Sequence, residues 1–125
     1  MIIDHVGIAV SDYEQSKKFY THVLAPLGIT AIIEHNGWIG FGKEDKPEFW
    51  FGPGKETNHF MHVVFTAKTK EIVELFYKVA IEEGAVCNGK PKLRQDYYLG
   101  YYGAFVIDPD GNQIGAVIHS SELNS

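Results

Sequence analysis

Two histidines, His5 and His62, stand 57 residues apart in similar surroundings, Asp4-His5-Val6-Gly7-Ile8-Ala9-Val10 and Met61-His62-Val63-Val64-Phe65-Thr66-Ala67. Imidazole is the commonest metal-binding side chain, so two brought together suit a divalent ion. A second group could bind ligand: Arg94 can take a carboxylate or phosphate, and Tyr97, Tyr98, Tyr101 and Tyr102 can stack on a planar molecule. Trp38, Phe49, Trp50 and Phe51 are core mass or the wall of a cavity. Asp108 and Asp110 resemble a catalytic acid pair, but Asp108-Pro109-Asp110-Gly111 is ordinary hairpin-turn chemistry. Cys87, the single cysteine, excludes an internal disulfide, and its strand-like run offers no helix start or fixed basic neighbour to activate the thiol.

The elements that position these residues repeat with the histidines. Phe19-Tyr20 and Phe76-Tyr77 share the 57-residue offset, so strand and helix of each half keep one register. Val6, Ile8 and Val10 alternate with His5, Gly7 and Ala9 as in a strand with two different faces. Ser11-Asp12-Tyr13-Glu14 has the form of a capping box, and Phe19, Tyr20, Val23 and Leu24 follow at helical spacing until Pro26 and Gly28. In the second half Thr69 can cap a helix carrying Ile72, Val73, Phe76, Tyr77 and Ala80 up to Gly84. Strands are expected at Thr30–His35, Gly37–Gly42 and Glu48–Phe51, then at Ala85–Asn88, Tyr101–Ile107 and Asn112–His119, with Lys43–Pro47 as a polar turn.

The pattern is βαβββ twice over: an α+β fold of two modules, about 1–58 and 59–125, within one domain spanning 1–125. Neither half buries enough surface to be comfortable alone, so two mixed sheets are expected to curve around a shared cavity. Each helix should cover the apolar face of its own sheet, Val6, Ile8, Val10 in one module and Val63, Phe65, Ala67 in the other. His5 and His62 then face the interior between the sheets.

Composition limits the function classes. Eleven Lys and Arg against 16 Asp and Glu leave a net charge of −5, which opposes binding to nucleic acid and to anionic membranes. No run is apolar enough to span a bilayer and the start lacks a signal-peptide pattern, so the expected location is cytoplasmic.

The sequence resembles the vicinal-oxygen-chelate superfamily of glyoxalase I, bleomycin- and fosfomycin-resistance proteins and extradiol dioxygenases. The matching segments run from Asp4 to Asp12, then Ser16, Phe19-Tyr20 and Leu27-Gly28, then His62 to Phe65, and finally Phe105 to Ile114. The resemblance implies the glyoxalase/bleomycin resistance/dioxygenase fold, a small organic molecule as ligand, and a homodimer. In metal-dependent members the ligands are a histidine on the first strand and an acid on the last strand of each module, holding zinc, nickel, manganese or iron. His5 and His62 fall on the histidine positions. The acidic positions fall on Gly115 and, by carrying Phe105 onto Phe41, on Phe51, with Trp50 the alternative if the turn differs by one residue. Glu48 is the nearby acid and His119 shares the face of Gly115, so these are the candidate substitutes as ligand or catalytic base.

Two readings follow. One is a metal-dependent lyase or isomerase of lactoylglutathione-lyase type with an incomplete metal site at His5, His62 and Glu48. The other is a metal-free protein of antibiotic-resistance type that sequesters or senses a small molecule. The expected ligand-binding residues are Trp50, Phe51, Arg94, Tyr97, Tyr101, Tyr102 and His119.

Overall fold

A computed structural model describes residues 3–54, 60–95 and 100–123. The first module runs β1 (Val6–Val10), α1 (Tyr13–Leu24), a short 3-10 turn (Ala25–Leu27), β2 (Thr30–His35), β3 (Trp38–Lys43) and β4 (Lys46–Pro53). The second runs β5 (His62–Thr66), α2 (Lys70–Glu82), β6 (Val86–Arg94), β7 (Tyr101–Ile107) and β8 (Gln113–His119). Each module folds into one four-stranded mixed sheet, ordered β1-β4-β3-β2 and β5-β8-β7-β6, and the sheets do not close into a barrel. The first strand of each module lies parallel to its last, and the remaining pairs are antiparallel.

Helix starts follow from short polar side chains. Asp12, not Ser11, caps α1 and accepts from the Gln15 amide at 3.0 Å, while the Ser11 amide turns to the Asp110 carboxylate at 3.1 Å. Asp caps as well as Ser, so the capping-box pattern is one residue out of step. Thr69 caps α2, accepting from the Ile72 amide at 3.1 Å. Asp12→Ala and Thr69→Ala should each cost about 1 kcal/mol, a fall in Tm of about 3–5 °C in circular-dichroism melts. An unchanged Tm in both variants would mean that neither cap supports its helix.

The two helices pack against each other, and one apolar core joins the modules: Ile8, Phe19, Tyr20 and Phe51 from the first belong to the same cluster as Phe76, Val106 and Ile114 from the second. Phe49 and Phe65 meet edge to face across the module boundary, 5.4 Å between ring centroids. A polar clamp crosses the same boundary. The buried Asp108 carboxylate accepts from the Tyr20 hydroxyl, the Asp110 and Asn112 amides and the Asn112 side chain, and Asn112 in turn accepts from the Met61 amide. Burial, then the nearby Asp108 charge, push the Tyr20 phenol well above its ordinary pKa, so it stays a donor.

β6 is longer than the sequence suggests, reaching Arg94 through irregular pairing around Gly89. It is an edge strand, and Pro91, which would break a central ladder, is tolerated there. Arg94 therefore sits on the sheet instead of in a preceding loop.

Candidate functional site

Strand parity sets the site, because successive side chains point to opposite sides of a sheet. With the apolar residues of β1 and β5 turned to the helices, His5 and His62 project on the open faces. Trp38 and Trp50 share the open face with His5, whereas Phe51 is fully buried beneath α1, against Tyr20 and Phe41. Phe51 is thus core and no part of a ligand-binding wall. The same alternation separates two neighbouring tyrosines. Tyr101 faces the open side with Phe105 and His119. Tyr102 faces α2, donates to Glu74 at 2.7 Å, and has its phenol pushed up to about 12 by burial and that carboxylate. Tyr102 is a helix–sheet contact and no ligand-binding residue. Tyr97, with Tyr98, lies outside the described residues.

The histidines line different hollows. His5 borders one of about 480 Å³ with Gly7, His35, Asn36, Trp38 and Trp50. His62 borders one of about 360 Å³ with Val64, Thr66, Tyr101, Phe105 and His119. Glu48 is half-buried at the module boundary, sharing a smaller hollow of about 200 Å³ with His5, Phe49 and Val64. Thus His5 is brought near Glu48, and His62 near His119. The His5 Nδ1 atom meets the exposed Asp4 carboxylate at 2.8 Å, and this contact, with Lys46 behind it, holds Asp4 below the usual carboxylate range.

The register also locates the acidic positions. Two residues beyond each histidine, Gly7 pairs with Trp50 on β4 and Val64 pairs with Gly115 on β8. The first-module equivalent of Gly115 is therefore Trp50 and not Phe51. The carry-over from Phe105 to Phe41 fails because Phe41 is buried on the helix side while Phe105 faces the open side. At both positions an aromatic ring lies on a glycine of the neighbouring strand. Gly40 pairs with Trp50, and a Cβ built on it would come within 2.9 Å of the indole. Gly115 pairs with Phe105, and a Cβ there would sit under 3.0 Å from the phenyl ring. The two modules are reciprocal, with the ring on the last strand in one and the glycine on the last strand in the other.

This donor set does not fit a divalent ion. The two imidazoles line separate hollows, the acid positions carry an indole and a bare glycine, and no three His, Cys, Asp or Glu among the described residues cluster at metal-binding distance.

Phe105, His35, Val64 and Thr66 enter the site without having been singled out as ligand-binding residues, and Trp38, read as core or cavity wall, lines the hollow beside His5. For Phe105 a signal existed: counting back across the Asp108–Gly111 turn pairs it with Gly115. Arg94 stacks over the Phe105 ring, 5.3 Å to its centroid, and donates to the Lys90 carbonyl at 2.9 Å. Arg94 Nε, His119 Nδ1 and Ser120 Oγ are buried without a hydrogen-bond partner, each an arrangement that costs about 1–3 kcal/mol unless something binds there. Cys87 pairs with Val106 at the other face of the sheet. The pKa of its thiol is lowered by the Tyr77 hydroxyl and then by the Gly89 amide.

No helix among the described residues is long and apolar enough to cross a membrane. Among curated proteins none matches the chain. Among solved structures, a glyoxalase/bleomycin resistance protein from Albidiferax ferrireducens T118 is 27% identical, with a TM-score of 0.81 over 94% of this chain and 98% of that one. A glyoxalase/bleomycin resistance protein/dioxygenase family enzyme from Burkholderia phytofirmans PsJN is 24% identical, with a TM-score of 0.71 over 91% and 95%. A glyoxalase-related enzyme from Fulvimarina pelagi, 13% identical, shares the fold at a TM-score of 0.71 over 92% of this chain and 86% of its own. The superfamily often uses divalent metals, which makes the unsuitable donor set here a departure within it. Residues 2–115 match the family model of the Glyoxalase/Bleomycin resistance protein/Dioxygenase superfamily, so this chain of two βαβββ modules belongs to that superfamily.

Proposed function

We propose that this chain binds a small organic molecule on its open sheet faces without a metal ion, sequestering or sensing it. The observation that carries this reading is the replacement of both acidic positions by rings laid on glycine, Trp50 over Gly40 and Phe105 over Gly115. A glyoxalase-type reaction needs a metal to polarise substrate oxygens and a carboxylate to move a proton. The same surfaces suit binding well: flat, apolar walls with a few polar groups at their margins. Glu48 and His119 are then ligand contacts and carry no proton-transfer role.

Protein purified without chelator should carry no stoichiometric zinc, nickel, manganese or iron by elemental analysis, and titration with each should give no saturable one-to-one binding. Stoichiometric metal in the wild type, lost in His62→Ala, would overturn the proposal. Both tryptophans of the chain, Trp38 and Trp50, line the hollow beside His5, so their fluorescence reports on it directly. Planar aromatic compounds should quench it saturably, and Trp50→Ala, followed by the remaining Trp38, should weaken that binding about 10-fold, the loss of one stacking platform worth about 1 kcal/mol or more.

A further inference from the structure

The boundary between the modules holds a second kind of hollow, apart from the one beside Trp38 and Trp50. Glu48 sits there in a β-bulge: Phe41 pairs with Phe49 and Gly42 with Pro47, so Glu48 is the extra residue of β4. A bulge re-aims a side chain from the direction that strand alternation gives it. Alternation alone would set Glu48 beside Trp50 on the open face, whereas it lines a hollow of about 290 Å³ with Lys43, Phe49, Val64, Phe65 and Thr66. The close approach of the chain at the bulge requires Gly42, where a Cβ would collide with the Lys46 carbonyl.

Charge and main chain both describe the occupant. Glu48 and Lys43 bring opposite charges to this hollow yet form no ion pair with each other, and neither side chain has another partner among the described residues. The facing wall is β5, an edge strand of its sheet. The Met61 carbonyl and the Ala67 amide bond toward β8, at 2.8 Å each, and hydrogen-bonding groups alternate in direction along a paired strand. The N–H and C=O groups of Val64 and Thr66 therefore point out past the free edge. Phe49 and Phe65, which meet edge to face, supply apolar surface beside them.

We infer that this hollow takes a free amino acid with an apolar side chain, its ammonium on Glu48, its carboxylate toward Lys43 and its side chain against Phe49 and Phe65. A zwitterion satisfies both charged side chains at once, whereas a simple amine or acid leaves one of them alone. The volume lies at the low end of ligand sites, which run from about 300 Å³ upward, and suits a molecule of that size. The contact with the half-buried Glu48 is the stronger of the two, because Lys43 is exposed and screened by solvent.

The test compares L-leucine with isopentylamine, which lacks the carboxylate, and isocaproate, which lacks the ammonium. Binding is followed by amide chemical shifts of the intact chain, with the largest shifts expected at Val64, Phe65 and Thr66. Leucine should bind best and isocaproate at least about 10-fold more weakly, the loss of a charged hydrogen bond. Glu48→Gln should weaken leucine by a similar factor and leave isocaproate unchanged, and Lys43→Gln should weaken leucine about 3-fold and leave isopentylamine unchanged. Isocaproate binding as tightly as leucine to the wild type would overturn the inference, a comparison that needs no variant. So would leucine binding that survives Glu48→Gln in a folded protein, or leucine giving no shifts at these residues at millimolar concentration. Quenching of Trp38 and Trp50 by planar aromatics reads the other hollow, so a failure of leucine here leaves that proposal standing.

Discussion

Replacing Asp108 by alanine should destabilise the protein by about 3–5 kcal/mol, among the largest losses a single side-chain truncation here can produce. The carboxylate is 5% exposed and gathers the Asp110 amide at 2.9 Å, the Asn112 amide at 2.8 Å, the Asn112 side chain at 3.0 Å and the Tyr20 hydroxyl. Alanine leaves the buried Tyr20 and Asn112 donors and the half-buried Asp110 amide without their acceptor. The loss should spread, because Asn112 also anchors the Met61 amide at 2.8 Å, just before β5. The Tyr20 hydroxyl belongs to α1 of the other module, so the clamp fixes how the halves meet. Thermal melts should show Tm falling by more than about 10 °C, and Tyr20→Phe, which removes one donor and leaves three, should give less than half of that. The neighbouring carboxylate is the control: among the described residues Asp110 accepts only the Ser11 amide, in an exposed position, and Asp110→Ala should cost under about 1 kcal/mol. Similar melts for Asp108→Ala and Asp110→Ala would show that the clamp does not join the modules.

These two aspartates illustrate what a sequence can and cannot convey. Their turn chemistry is local and readable, because Asp-Pro-Asp-Gly needs no partner elsewhere to make a hairpin. Which of them reaches a tyrosine 88 residues away depends on tertiary packing, which no spacing encodes. The repeat, the helices and the parity of His5 and His62 were legible for the same local reason: period-2 alternation and apolar stripes declare their own faces. Parity applied consistently would also have separated Trp50 from Phe51 and Tyr101 from Tyr102, since adjacent strand residues cannot share a wall. The extent of β6 was not legible, because Gly89 and Pro91 read as breakers unless the strand is known to be an edge. Nor was the ring-on-glycine pairing in module one, since matching Phe105 to Phe41 aligns like residues whose faces are opposite.

That pairing leads to the second large effect, which joins stability to function. Gly115→Glu places an acid at the second-module position where metal-dependent relatives would carry one, and should cost about 2–4 kcal/mol, because even its Cβ falls inside the space of the Phe105 ring and lies 3.3 Å from the Ala104 carbonyl oxygen. The ring must swing off the sheet, giving up its contact with Gly115 and the stacked Arg94. Gly115→Ala alone isolates the steric part, at about 1–3 kcal/mol. In a Phe105→Ala background the obstruction is gone, and the same Gly115→Ala should be neutral or stabilising by about 0.5 kcal/mol, because alanine restricts the unfolded chain. The coupling energy of this double-mutant cycle is then about 1–3.5 kcal/mol, measured by urea denaturation. Additive effects would show that the ring does not depend on the bare glycine. Strong coupling would mean that glycine and ring are fitted to each other, so that this position is part of an apolar surface. A carboxylate placed at Gly115 should accordingly weaken binding of planar apolar compounds beside Phe105, without recruiting a metal to His62.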